Sequence, residues 1–375
     1  MSRKGSPGEA KLGAPPGRRP RQVIFGALGA VVVLLGMLAG AYLYAHHARP
    51  LPPPLWTEAD LPELPPAEDN GWVLLRDRGY AFSVDDEGGL LSLETSPQEL
   101  PEDTARAIAD ELRGDEPARR EIGALGHFAD GCATTDTYCP FLPMHYLAVE
   151  RGLAMIVGAR LGHWTRVTEE AEALSRQTSG FTATCRTVAS CLVAVRALEN
   201  SMIAAESVAF IASNADDPPI DVLEALVELV ASAVTPSPDV GRTIVFDCVS
   251  YRRTFAALNG ELLLDRAYTL GRLDDMCRSV HAYAVDPTLG APTGWPQTDG
   301  ALWWLYNARG KEYLAMYAVN LETSVSAITR YREVLEDIDA ARARALEALR
   351  RAITHAEAQA EARANQAANP DTTDE

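Results

Sequence analysis

The chain has 375 residues, 34 of them basic and 52 acidic, for a net charge of −18 at neutral pH. Its length suits one large domain or two modest ones. An acidic excess of this size repels phosphate backbones and anionic headgroups, which excludes nucleic-acid binding and reads first as solubility.

Residues 1–22 carry Arg3, Lys4, Lys11, Arg18, Arg19 and Arg21 against Glu9 alone. From Val23 to Ala45 come 23 residues without a charge. As a helix this run reaches about 34 Å, enough to cross a hydrocarbon core of about 30 Å. The segment that follows holds Arg49 against Glu58, Asp60, Glu63, Glu68 and Asp69. Basic residues on one flank only place that flank in the cytoplasm. The expectation is a single-pass protein of the bacterial inner membrane: a basic cytoplasmic tail over 1–22, a transmembrane helix over 23–45 in contact with the lipid bilayer, and a periplasmic C-terminal domain. A cleaved signal peptide is the alternative that Ala45-His46-His47-Ala48 offers, although signal h-regions run to about 7–15 residues. The twin-arginine reading of Arg18-Arg19 is not continued by Pro20-Arg21-Gln22, and no Cys follows the run for lipid attachment. The exported residues keep 28 of the basic and 51 of the acidic side chains, a charge near −23.

Pro50, Pro52, Pro53, Pro54, Pro62, Pro65 and Pro66 make residues 46–69 a Pro-rich tether. At about 3.1 Å per residue such a tether lifts the folded part away from the membrane. Globular sequence starts at Asn70-Gly71-Trp72. Helical signals then follow in order: Thr104–Arg113, stopped by Gly114; Leu147–Leu161, ended by Gly162; Val167–Thr178, ended by Ser179-Gly180; Thr187–Ile211; Ile220–Val234; and Val240–Leu258. A loop rich in Pro and Gly over 286–300 leads to Trp303-Trp304-Leu305-Tyr306. In a long helix from about Val325 to Ala364, Ile328, Tyr331, Leu335, Ile338, Ala345, Leu349 and Ala352 form a heptad-like stripe. Strand-like alternation is nearly absent past residue 95. The expected fold is all-α: a single transmembrane helix, the tether, an exported domain of stacked antiparallel helical hairpins over 70–320, a long C-terminal helix over 321–366, and a disordered acidic tail over 367–375. The stripe makes the C-terminal helix a candidate surface for a homo-oligomer.

All six cysteines, Cys132, Cys139, Cys185, Cys191, Cys248 and Cys277, fall on the exported side. An even number in an oxidising compartment reads as disulfides, although six cysteines allow 15 pairings. The chain-local set is Cys132–Cys139, Cys185–Cys191 and Cys248–Cys277. In one unbroken helix Cys185 and Cys191 would stand about 9 Å apart, so they pair only where the helix starts after Cys185.

His127, Cys132, Cys139 and His145 have the right types for zinc but the wrong spacing, and oxidation of the two thiols is preferred. Trp295, Trp303, Trp304 and Tyr306 are the candidate binding residues, aromatic faces behind a breaker-rich loop; the competing reading is that they plug the end of a helical stack. There is no G-x-S-x-G, phosphate loop, HExxH or S-x-x-K, and Asp85-Asp86-Glu87-Gly88 lacks the alternation of a calcium loop. No catalytic residue, metal or cofactor is assigned.

Asn70-Gly71-Trp72, the Leu174…Ala189…Ala197 helix pair, the run Trp304-Leu305-Tyr306-Asn307-Ala308-Arg309-Gly310-Lys311 and the Tyr331…Leu335…Asp339 helix together resemble a diffuse group of uncharacterised bacterial membrane-anchored envelope proteins with a helical exported domain. That group usually carries Asn-Pro-x-Gly-Lys, where this chain has Ala308 in place of the proline. The resemblance spans residues 70–350 and implies architecture, with no known activity. The functional expectation is a non-enzymatic scaffold or binding module holding a protein partner in the envelope. The alternative is a periplasmic hydrolase with a non-local site built on His145 or His163.

Overall fold

A computed structural model describes residues 19–78, 100–136, 139–258, 261, 263–286, 288–295 and 307–368. Among these it contains ten α-helices and no strand, so the all-α expectation holds. The helices are α1 (Arg19–His47), α2 (Gly71–Arg78), α3 (Glu102–Gly123), α4 (Leu142–Arg160), α5 (Trp164–Thr184), α6 (Val188–Ala212), α7 (Ile220–Ser232), α8 (Gly241–Ala256), α9 (Arg266–Val285) and α10 (Ala308–Ala368).

Two helices are apolar enough to cross a membrane, and their surroundings differ. Phe25–Tyr44 in α1 has mean hydropathy 2.1 and none of it is buried, whereas α6, at 1.4, is more than half buried. Helix α6 lies at the centre, packed against α4, α5 and α10. Its buried face is rich in alanine (Ala194, Ala197, Ala204, Ala205, Ala209 and Ala212), which lets the surrounding helices approach closely. Thr187 caps it by accepting from the Ser190 N–H at 3.0 Å. Sequence neighbours α3 and α4, α4 and α5, and α8 and α9 also pack together.

Several boundaries differ from the sequence expectation, each for a physical reason. Helix α3 runs through Gly114 and Pro117 to Gly123, because Leu112, Arg119 and Ile122 on its far half are buried. Arg119 pairs with Glu150 of α4 at 2.8 Å, and Arg151 of α4 pairs with Glu170 of α5 and donates to the Arg119 carbonyl at 2.7 Å. Burial pushes the Glu150 carboxyl up to about 7 against the pull of Arg119. Helix α5 continues past Gly180, where a Cβ would come within 2.8 Å of the Phe128 carbonyl oxygen. That glycine permits a close approach and terminates nothing. Gly162 does end α4: at φ +74° it lets the Gly162 and His163 N–H groups reach back to Ala159 and Gly158 at 3.1 and 2.7 Å.

The C-terminal helix starts at Ala308 rather than at 321 and spans 61 residues in one piece. Its stripe, with Leu314, Tyr317, Leu321, Ile328, Tyr331, Val334, Ile338, Ala341, Ala345, Leu349 and Ala352, is buried within the chain against α6, α7 and α9. The stripe residues at 328, 331, 338, 345, 349 and 352, offered above for a second copy, are therefore covered in cis.

The proline-rich segment is not a free tether in the structure. Proline lacks an N–H and builds no local ladder, so the carbonyls of this stretch find donors on the domain. Arg252 donates to the Pro52 carbonyl and Arg186 to that of Pro62, while Arg253 pairs with Glu58. Thr134 donates to Glu58 at 2.7 Å, and Trp56 lies 4.9 Å from the His281 ring. Leu55, Trp56 and Leu61 pack onto the core. The strap ends at buried Asn70, whose side chain accepts from the Ala129 N–H at 3.0 Å and donates to the Ala129 carbonyl at 2.9 Å.

The six cysteines stand in three pairs at disulfide distance, with Cα–Cα separations of 6.0 Å for Cys132–Cys139, 5.0 Å for Cys185–Cys191 and 6.1 Å for Cys248–Cys277. The second pair forms because the chain leaves helix between α5 and α6, at Cys185 to Thr187. Intact-mass measurement with thiol alkylation should find no reactive thiol before reduction. Serine at both Cys248 and Cys277 should lower stability by about 3–4 kcal/mol in denaturant titration. Gly180→Ala should cost about 1–3 kcal/mol in the same assay, because the α5 backbone must move off Phe128.

Candidate functional site

An open cleft of about 580 Å³ lies between the Cys132–Cys139 loop, the first turns of α6, the middle of α8 and the first third of α10. Its walls are Phe141, Leu142, Val188, Ala189, Val193, Phe246 and Ala327, and its polar groups are Asp136, Thr187, Asp247, Ser250, Tyr251, Asn320, Thr323 and Ser324. Thus two carboxylates, several hydroxyls and an amide face the cleft, and among the described residues no Lys, Arg or His lines it. Arg186 approaches from behind, its guanidinium 5.9 Å from the Phe246 ring.

Asp247 is strongly perturbed in this cleft. Helix α8 places it between Phe246 and Cys248, which are both buried, and its carboxylate accepts one long hydrogen bond, from Ser324 at 3.4 Å. Burial pushes its carboxyl up to about 7. One helical turn on, burial and the Asp247 charge push the Tyr251 hydroxyl above its ordinary range, and its ring lies 4.9 Å from that of Tyr317. Asp136 is occupied locally, accepting from the Ala133 N–H at 2.8 Å, and Ser250 donates to the Thr134 carbonyl at 3.0 Å. Such a cleft favours a donor or a cation over an anion.

The zinc arrangement weighed from the sequence does not assemble. Among the described residues, the ligand atoms that gather within 4.8 Å belong to Asp130, Cys132 and Cys139, and neither His127 nor His145 joins them. The two thiols stand as a pair, and the Asp130 carboxylate is engaged by the N–H groups of Cys132 at 3.1 Å and Arg186 at 2.8 Å. Asp130 therefore staples this loop to the start of α6.

Of the four aromatic candidates, Trp303, Trp304 and Tyr306 lie outside the described residues. Trp295 is half-buried against the core and donates its indole N–H to Glu322 at 2.6 Å. His145 is half-buried beside Tyr146, with burial pulling its pKa down, and His163 is an exposed residue at the start of α5. Neither lines the cleft. The residues that sequence reasoning missed are Asp247, Asn320 and Ser324. A carboxylate flanked by Phe246 and Cys248 was the available signal; its meeting with α10 depends on contacts 77 residues away.

Comparison with family models, with curated proteins and with solved structures finds no match to this chain.

If burial raises the Asp247 carboxyl, the folded state binds its proton more tightly than the unfolded state does. Its contribution is then favourable at low pH and is lost as pH rises from about 4 to about 7. Asp247→Asn should be more stable than the parent by about 2 kcal/mol at pH 8, with the difference closing at pH 4, as read by denaturant titration.

Proposed function

We propose that this is a single-pass protein of the bacterial inner membrane whose periplasmic helical domain works as a non-enzymatic binding module, holding a protein partner in the Asp247 cleft. The observation that carries the binding reading is the composition of the cleft wall: two carboxylates and four aliphatic or aromatic side chains of α6 and α8, with no cation among the described lining residues. That wall fits a partner segment presenting a lysine, arginine or amide donor on an apolar stem. Membrane attachment draws support from α1, an apolar helix that buries nothing against the domain. The three cysteine pairs favour an oxidising compartment, and the basic residues before α1 favour a cytoplasmic N-terminus.

Two measurements test the reading separately. Alkaline phosphatase fused after Glu375 should be active in cells and a fluorescent protein fused there should be dark; the reverse pattern removes the topology. A photo-crosslinking residue at Asn320 or Thr323 should trap a partner that the same residue at Asp217, remote on the domain, does not. Asp247→Arg should abolish that adduct, and an adduct that survives the charge reversal removes the cleft as the binding place.

A further inference from the structure

The strap has a geometric consequence for which face of the domain meets the bilayer. Arg49 is the second residue after α1 ends at His47, and its guanidinium lies 3.5 Å from the Asp265 carboxylate. From Tyr44, the end of the apolar run, to the Arg49 backbone is at most about 12 Å, part helix and part extended chain. The headgroup layer beyond the hydrocarbon is itself about 5–8 Å thick. Asp265, one arginine side chain further on, is thus held within about 15 Å of the headgroup layer. The bonds from Arg252, Arg253 and Arg186 to Pro52, Glu58 and Pro62 keep the strap from paying out and letting the domain drift off.

Asp265 belongs to a rigid corner. Its N–H donates to the Asn307 side-chain oxygen at 2.8 Å, and Thr269 donates to the same oxygen at 3.1 Å. Gly310 packs against Asn307 and Thr269 so closely that a Cβ there would overlap both side chains. The Arg309 N–H donates to the Leu263 carbonyl at 3.0 Å. Together these bonds stitch the start of α9 to the start of α10. They also hold Leu263 at φ +62°, a left-handed conformation that a branched side chain rarely adopts, with its side chain turned out to solvent at 37% exposure. An apolar side chain held outward here, close to the point where Arg49 ties the end of the anchor to the domain, suits a lipid contact. The local charge agrees. Arg49, Arg266, Arg309 and Lys311 stand here against Glu261, Asp265 and Glu312, in an exported part where acids outnumber bases 51 to 28.

We propose that the corner joining residues 263–266 to 307–311 rests on the lipid headgroups, with the Leu263 side chain among them. The proposal depends on α1 being the membrane anchor. Helix α10 starts at this corner and runs about 80 Å to Arg363, which pairs with Asp217 at 2.9 Å, so Asp217 marks the far end of the domain.

The native cysteines are all paired, so an added one supplies the single labelling site. Full-length protein carrying Leu263→Cys, Arg266→Cys, Leu35→Cys or Asp217→Cys, each with an environment-sensitive fluorophore, would be reconstituted in vesicles of phosphatidylethanolamine and phosphatidylglycerol containing a doxyl-labelled lipid. Emission from positions 35, 263 and 266 should be at least halved, and that from 217 unchanged; the label at 266 guards against an effect of removing Leu263. Quenching at 35 with none at 263 and 266 overturns the corner contact and leaves the anchor standing. No quenching at 35 overturns both. Equal quenching at 217 overturns the assignment of this corner.

Discussion

Burial of α6 between α4, α5 and α10 is the constraint on which the remaining packing depends. A helix this apolar has two stable environments, lipid or a shell of other helices, and α6 takes the second. Its alanine-rich surface sacrifices side-chain volume for close approach, and α10, which packs against it, buries larger residues such as Ile338 and Leu349. Because α10 must follow α6 and then α7 and α9, it is long and continuous, and the short helices arrange themselves along it. The Cys185–Cys191 pair and the Thr187 cap fix where α6 begins, and so set the register of that arrangement.

The strap and the helices use arginine in a common way. Arg186, Arg252 and Arg342 donate to backbone carbonyls outside the helices, and Arg242 and Arg332 to carbonyls in the last turns of α5 and α9. The planar, five-donor guanidinium suits this role, whereas a lysine ammonium is more strongly hydrated and presents a point charge. Arginine here serves as connective tissue between helices and loops, which gives structural sense to a chain with many arginines and few lysines. The same chemistry turns a proline-rich stretch, whose carbonyls lack local donors, into a bound element.

The cleft arises at the meeting of three such features. The Cys132–Cys139 loop closes one side, the start of α6 forms the floor, and α8 and α10 bring Asp247 and Ser324 together. A carboxylate with one long hydrogen bond in an apolar wall is poorly solvated by the protein itself, and a cationic or donor group entering the cleft would supply what is missing. The Asp247 carboxyl is thereby costly to the free fold.

Much of the architecture was legible in the chain because it follows from local periodicity. The apolar run of α1, the all-helical character, the stretch that became α6 and the chain-local cysteine pairs all express residue spacing of a few positions. The misreadings came where local rules were overruled by contacts distant in sequence. Gly114 and Pro117 did not stop α3, because burial of Arg119 and Ile122 outweighs their cost; Gly180 did not stop α5, because it was placed for Phe128; and residues 46–69 did not stand free, because their donors lie up to 200 residues away. The sequence by itself determined that the chain is predominantly helical and that residues 23–45 form an uninterrupted apolar run, since both depend on neighbours along the chain. Only the tertiary structure decided which helix face meets which, where Asp247 finds its cleft, and that the strap binds the domain, because those depend on groups that folding alone brings within a few ångströms.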